Sequence, residues 1–542
     1  MAQNAVFGIN SNLDTQDIIN KMVSLEARSM DLVEAKKQIE QQKLASFQEL
    51  KNRLQTFKSV TTTLNTESRF VANKSVFSNN SFSDSNKVLD ITTTSSASSG
   101  TYSLFVNNLA TESKLITGGH AETTTSIASG TVTIVIGSSA SSTVTIDSTN
   151  NTLDGLRLAI NNLGLDVKAS FLNDGDATNP YRLLVSGTQT GSSGTVTMSH
   201  TTPQSPFWTA SAAVSFETTQ TAQNARLSLD GVSITKSSNT ITDVITGAAL
   251  KLQSAGSGTI SLSTDTEAIT TKVSDFVDGY NDLSLFLREQ LALDTETEET
   301  GVLFGNFAVQ NLQQILRSSI SNKVTGVSGD YSFLSQIGIT TKPDGTLTLD
   351  TDKFSDALLS DIKNVSQLFS SSGITTNSSV AFVGFTRDTQ PGSYEVKRLD
   401  GLTQLSNSGA STFVNASGSG NFWAGSSGDS TGLNFRLGNL NNGSYGHITL
   451  AIGVAEILNR QLENLVDSSL NGPLVTELDT IKETVDDFNV TLLDQAKRLL
   501  EFEESLKARF TNLEIVLGRL NTQKNIFNSA LAGIQNIFSQ KK

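Results

Sequence analysis

Between Leu474 and Ser539 large apolar residues recur in steps of three and four, and no other feature so limits what the chain can fold into. Leu474, Leu478, Ile481, Val485, Phe488 and Leu492 keep one helical face apolar turn after turn, which is a heptad rhythm. A slip to Ala496 shifts the register and should locally unwind any supercoil. The stripe resumes through Leu499, Leu506, Phe510, Leu513, Leu517, Leu520, Phe527, Leu531, Ile534 and Phe538, interrupted by Glu503 and Lys524. At about 1.5 Å of rise per residue such a helix runs roughly 100 Å, longer than the side of an ordinary domain. It needs a partner along its length.

A complementary stripe lies at the other end of the chain. Asp14 is a good N-cap with Asp17 near the donor-rich helix start, and Ile18, Met22, Leu25, Leu32 and Ile39 follow in threes and fours. A re-phased set continues at Phe47, Leu50, Leu54, Phe57 and Leu64, with a break expected near Ser29 or Ser46. The two ends are therefore expected to pair. The alternative is that each forms its own homotypic coiled coil, since loose stripes do not fix strand number. Each stripe lacks neighbouring residues to cover it, so Met1 to about Ile39 and about Leu506 to Lys542 are expected to be loosely ordered until assembly.

At 542 residues the chain is long enough for several domains. Its 39 Lys and Arg against 53 Asp and Glu give a net charge of −14, and the only basic clusters are around Lys36 and at Lys541-Lys542. Nucleic-acid binding, which needs clustered positive charge, is disfavoured. With no cysteine, disulfides, thiol catalysis and cysteine metal sites are excluded. Met1–Thr15 has neither the basic start nor the apolar core of a secretory signal, and no apolar run has bilayer-spanning length. Alone, that predicts a cytoplasmic protein, or one exported by a route that reads an uncleaved N-terminus.

Composition changes after Leu64. From about Val88 to Ser263 the chain is rich in Ser, Thr and Gly, with alternating runs such as Thr131-Val132-Thr133-Ile134-Val135-Ile136 that predict half-buried antiparallel strands. One helix is expected around Leu153 to Leu163. Disorder is the competing reading of so much Ser and Thr, but disordered chains lack regularly spaced Val, Ile, Leu and Phe. Helical periodicity returns at Val273, Phe276, Val277, Tyr280, Leu283 and Leu287, and again over Phe307–Ile320 and Phe354–Phe369. Between the last two, Pro343-Asp344-Gly345 separates extended runs and predicts a hairpin turn. Ser370–Gly446 is a second Gly/Ser/Asn-rich β-like segment, expected to face outward because both its flanks are helical.

The expected fold is α+β multidomain, with long coiled-coil-like terminal helices and a mixed helical domain into which antiparallel β domains are inserted. The expected domains are 1–70 for the N-terminal helices, 71–117 with 216–265 for an inner β domain, and 118–215 for an outer one. Next come 266–369 for a helical domain with a hairpin, 370–446 for an additional outer β-like domain, and 447–542 for the C-terminal helices.

This order resembles that of the flagellar filament cap protein family, also called flagellar hook-associated protein 2. Phe7-Gly8-Ile9-Asn10-Ser11-Asn12-Leu13-Asp14 is similar to the family's opening, with Asn12 where Gly is usual; Asn tolerates the same left-handed backbone. The run from Leu227-Ser228-Leu229-Asp230-Gly231 to Asp243-Val244-Ile245-Thr246-Gly247 resembles a signature of the family's second domain. Ile337-Gly338-Ile339 with Asp344-Gly345-Thr346-Leu347 resembles another, and Arg509-Phe510-Thr511-Asn512-Leu513-Glu514 its C-terminal helix motif. The resemblance implies a secreted homo-oligomer at the distal tip of the bacterial flagellum, a ring of about five or six copies beneath which flagellin folds and inserts. It also implies passage through the flagellar type III export apparatus with a cytoplasmic export chaperone, and for some members adhesion to host mucus or surfaces. The residues expected to join copies, taken from the apolar stripes of the two ends, are Ile18, Met22, Leu25, Leu32, Leu506, Phe510, Leu513, Leu517, Leu520 and Phe527. The alternative is another axial flagellar protein or a coiled-coil surface adhesin.

No chemistry competes with this reading. His120, His200 and His447 lack ligand or triad spacing, and Asp344, Asp350 and Asp352 lack the spacing and final Glu of a calcium loop. Gly191-Ser192-Ser193-Gly194 lacks a phosphate-loop Lys. A secreted glycan hydrolase would need two carboxylates opposed in a cleft, and the acids of the β region are isolated in turns. The chain is therefore expected to be no enzyme and to carry no cofactor, catalytic residue or metal. Calorimetry with zinc, calcium or ATP should give no micromolar binding isotherm; a saturable one would refute this.

Overall fold

In the computed structural model, which describes residues 13–80, 87–202, 214–294, 296–407, 412–467 and 472–539, the two chain ends are long helices. Among the described residues the helices are α1 (Thr15–Thr62), α2 (Glu67–Phe70), α3 (Leu153–Asn162), α4 (Thr266–Gln290), α5 (Phe307–Ser321), α6 (Thr351–Phe369), α7 (Val454–Val466) and α8 (Pro473–Ser539). The Phe7–Asn12 opening lies outside the described residues. Up to Thr66 and from Lys272 onward the chain forms one compact unit, and Glu67–Thr271 forms another.

In the first unit α1 starts where Asp14 accepts the Asp17 N–H at 2.9 Å. It then runs without the break expected near Ser29 or Ser46. The hydroxyls of Ser24 and Ser29 donate back to the Lys21 and Glu26 carbonyls at 2.9 and 3.2 Å, so the serines are satisfied inside the helix. Phe47, Leu50, Leu54 and Phe57 bury the second half of α1. There Phe57 meets Phe276 and Tyr280 of α4 at centroid distances of 5.5 and 6.4 Å, and Phe276 meets Phe369 of α6 edge-on at 5.9 Å. A Cβ on Gly279 would lie 3.0 Å from the Phe57 ring, so the glycine lets the ring approach α4. Ile339–Thr341 and Leu347–Leu349 pair as the expected hairpin, with Gly345 at φ +85° in its turn. Asn281 of α4 holds the hairpin by bonding both the N–H and the carbonyl of Leu347, at 2.6 and 3.0 Å.

From Ser371 to Ile452 the same unit contains an eight-stranded antiparallel sheet. Its order is Ser371–Thr375, Gly443–Ile452, Gly392–Leu399, Leu402–Asn407, Val414–Ser419, Phe422–Gly425, Asn434–Leu437 and Val380–Gly384. The sheet curls until its first and last strands touch, giving a barrel. Inside it Tyr394 is fully buried and donates to the carbonyls of Gln390 and Asp429 at 2.7 and 2.9 Å. Burial, with the nearby Asp429 charge, pushes its phenol up to about 12. The flanks meet as expected: Ser371 pairs with Ile452, and the Gly453 N–H donates to the Ser370 carbonyl at 3.1 Å.

The second unit holds two separate apolar cores. One is built on a five-stranded sheet, Asn73–Asn79, Gly256–Thr264, Gly100–Asn108, Ala225–Leu229 and Val232–Lys236, with a three-stranded sheet of Thr240–Ile245, Ala248–Leu252 and Leu89–Thr93. Asp230 and Gly231, with φ of +49° and +84°, form its two-residue hairpin turn, and the Asp230 carboxylate also accepts the Ser103 N–H at 2.7 Å. The other core joins the sheet Phe216–Gln220, Glu112–Thr117, Tyr181–Thr190 and Val167–Asn173 to Ser142–Ile146, Gly130–Ile136 and Val196–Thr201, with Leu153, Leu156 and Ile160 of α3 buried among them. Strands Glu112–Thr117 and Phe216–Gln220, which sequence alone put with the inner domain, bury Leu115 in this outer core. Alternation cannot tell which of two adjoining sheets a strand enters.

Phe57→Ala should cost the first unit about 3–5 kcal/mol in urea unfolding, because the cluster of rings cannot collapse around the gap.

Candidate assembly interface

The pairing of the two ends takes place within one chain: α1 packs along α8. Leu50 and Leu54 of α1 share a small apolar void with Leu474 at the start of α8, and with Val309, Leu312 and Leu465. At the other end of α1, Thr15 and Ile19 are buried, as are Leu506 and Glu514 far along α8. With Leu50 and Leu54, near the end of α1, beside the start of α8 and the two helices packed along their length, the pair runs antiparallel.

The face of α1 turned to α8 is not the one expected. Toward the N-terminus from Phe47, in threes and fours, lie Leu44, Glu40, Lys37, Val33, Met30, Ala27 and Val23, all half-buried, and then Ile19 and Thr15, both buried. The expected stripe lies beside it. Ile18 is half-buried, while Met22, Leu25, Leu32 and Ile39 are 41%, 62%, 67% and 52% exposed. Both faces keep heptad spacing, and the covered one is disguised by Lys37 and Glu40. Their charges are matched by Glu34 at 3.3 Å and Lys43 at 2.8 Å on the same helix. Continuity with the Phe47–Phe57 stripe was the signal that separates the two faces.

On α8 the expected residues divide in the same way. Leu506 is buried, and Phe510 and Leu517 are half-buried on the side of α1, whereas Leu513, Leu520 and Phe527 are 42%, 54% and 66% exposed. From Arg519 to Asn536 every residue is exposed. Val490, Leu493 and Leu500, absent from the expected stripe, add a further outward set at 66%, 74% and 63%. The expectation of two loosely ordered ends is thus modified. The chain supplies its own cover for Leu506–Leu517, and none of the described residues covers α8 beyond Gly518.

Buried polar groups mark the seam: Gln495 Oε1 and Thr15 Oγ1 have no hydrogen-bond partner. The exposed ion pairs Asp17–Lys21 and Asp494–Arg498, at 2.6 and 2.8 Å, add little because water screens them. The apolar stripes are worth more, since burying a Leu or Phe side chain gains about 1.5–3 kcal/mol. Elsewhere the histidines stay apart. Burial holds His120 and His200 below the ordinary imidazole value, and His200 Nδ1 accepts the Val214 N–H at 3.0 Å. Among the described residues no three His, Cys, Asp or Glu side chains converge as a metal site.

The family model for the flagellar hook-associated protein 2 C-terminus matches residues 222–522, and that for its N-terminus matches 11–113. The chain belongs to the flagellar hook-associated protein 2 family. It is 30% identical over 391 residues to the B-type flagellar hook-associated protein 2 of Pseudomonas aeruginosa, covering 67% of this chain and 79% of the relative. It is 31% identical over 399 residues to the flagellar hook-associated protein 2 of Escherichia coli K12, covering 69% and 83%. Among solved structures it is similar to the D1-D2-D3 domains of the flagellar cap protein FliD from Escherichia coli, with a TM-score of 0.50, 32% identity, and coverage of 60% of this chain and 89% of that one. The two matched segments of this flagellar hook-associated protein 2 family member take in α1 and most of α8. Residues 114–221, which hold most of the outer β core, lie between them.

The two faces of α1 should respond differently to substitution. Ile19→Ala should destabilise the isolated subunit by about 2–5 kcal/mol, and Leu25→Ala by no more than about 0.5. Leu25→Glu should weaken self-association in light scattering while leaving the subunit's melt unchanged.

Proposed function

We propose that the outward stripes of α1 and α8 are where copies of this chain join, forming the cap at the distal tip of a bacterial flagellar filament beneath which flagellin subunits fold and insert. The observation that carries the reading is the pairing of family membership with apolar faces left uncovered on the helices that the family models match. Ile18, Met22, Leu25 and Leu32 on α1, with Leu513, Leu520 and Phe527 on α8, supply the contacts between copies. Leu506, Phe510 and Leu517 hold α8 to α1 so that those contacts are presented. Several buried Leu and Phe side chains per interface outweigh an association cost of about 4–15 kcal/mol.

The finer reading is a closed ring of about five or six copies, whose mismatch with the filament below leaves gaps where flagellin enters. Its action is mechanical, with no bond made or broken. Export takes the flagellar type III apparatus and a cytoplasmic chaperone. The β modules, the inner and outer cores of 67–271 and the barrel of 370–452, contribute nothing to the assembling stripes and are left to meet host mucus or another surface. As a second reading, an axial flagellar protein with the same helices would polymerise instead of capping.

Truncation after Ser505 tests the proposal. The β modules should keep their melting transitions while capping is lost and unpolymerised flagellin appears in the medium. Electron microscopy of full-length protein with filaments should show rings at tips; long polymers of the chain itself would favour the second reading.

A further inference from the structure

The barrel of Ser371–Ile452 has two unlike ends. At one it runs into α6 and α7. Strand register fixes what stands at the other. Leu399 pairs with Leu402 across a two-residue turn in which Asp400 and Gly401 have φ of +49° and +82°. The next strand pair, with Gln404 opposite Asn415, carries the chain back so that Ser419 and Phe422 close a second turn at this same end. Trp423 opposite Phe435 and Val380 opposite Leu437 bring the 438–442 connection there too, and the Gly401 N–H reaches Asn442 Oδ1 at 3.5 Å.

Turn tips are normally polar. These carry Leu399, Leu402, Phe422 and Leu440, which are 52%, 51%, 62% and 41% exposed. They stand on separate turns that the pairing register gathers at this one end. Just behind them stand Lys397, Arg398 and Arg436. Lys397 Nζ lies 3.3 Å from the Phe413 ring centroid, and Arg398 stacks on Trp423 at 5.3 Å and donates to Thr403 Oγ1 at 2.9 Å. Arg436 is exposed opposite Phe422. Among the described residues Asp400 is the one acid at this end. Three cations against one anion is a local excess of positive charge in a chain of net charge −14.

Exposed apolar residues gathered on turns and backed by cations suit a boundary that is anionic outside and apolar within. We propose that this end of the barrel docks on an anionic phospholipid bilayer. Leu399, Leu402, Phe422 and Leu440 enter the headgroup layer while Lys397, Arg398 and Arg436 meet lipid phosphates. Shallow apolar insertion and charge attraction add in such binding, and neither alone suffices for so few residues.

The test uses the full-length chain and sedimentation with phosphatidylcholine vesicles, with and without about a third phosphatidylglycerol. The chain should bind the anionic vesicles preferentially and lose binding as salt rises. The triple variant L399S/L402S/F422S should lower vesicle partition by about ten-fold or more with the same circular-dichroism melt. The stripes of α1 and α8 are identical in the two proteins, so the difference belongs to the barrel end. Should the triple variant melt early, Arg436→Glu at its exposed site carries the test, and should lower binding to the anionic vesicles alone. Equal binding to both vesicle types, or partition unchanged by the substitutions, overturns the proposal. So does a change of oligomeric state without any vesicle binding, which would make this end a contact between copies.

Discussion

A helix of 67 residues cannot bury its own apolar stripe, and the rest of this structure depends on how that stripe is covered. The 48-residue α1 covers α8 only as far as the start of α1 reaches. Because the covering helix comes from the other end of the chain, everything between has to leave the pair and return to it. The chain does so once at Thr66 and Lys272, and again at Phe369 and Val454, where Ser371 and Ile452 lie side by side. The first excursion folds around two apolar cores of its own and the second around one, which also takes in Ile457 of α7. Loop-closure cost grows slowly with length, which makes insertions of this size thermodynamically tolerable.

The helix pair is apolar on both sides, unlike a finished two-stranded coiled coil with a polar outer face. Lys37, Glu40 and Gln495 sit on the covered side, while Leu25, Leu32, Val490, Leu493 and Leu500 sit outside. The charged residues of the covered side, Lys37 and Glu40, are matched on their own helix, and the outward stripes keep a further hydrophobic gain for a neighbour. Gly518 falls where cover ends. Past it the helix has only its own propensity, which is marginal for an isolated helix in water.

Much of the architecture was legible in the sequence. The 3.6-residue period of α8 and the alternation in Thr131–Ile136 and Thr143–Ile146 are strong local signals, and Pro343-Asp344-Gly345 is a turn signal at which the hairpin forms. Local period does not reveal which sheet a strand joins, which is why Glu112–Thr117 and Phe216–Gln220 fell on the wrong side of a boundary between two β cores. Nor did serine content break α1 at Ser29, because its hydroxyl finds a carbonyl within the helix.

By itself the sequence determined that two long amphipathic helices bracket the β modules along the chain, that no thiol chemistry is available, and which family the chain resembles. Only the tertiary structure decided which of two heptad-spaced faces of α1 meets α8. Spacing is the same on both, and the choice depends on continuity with the ring cluster of Phe57, Phe276 and Tyr280, a contact between residues more than two hundred positions apart. The same holds at the far end of the barrel. Leu399, Leu402, Phe422 and Leu440 are scattered along the sequence, and only the pairing register gathers them at one end of the barrel.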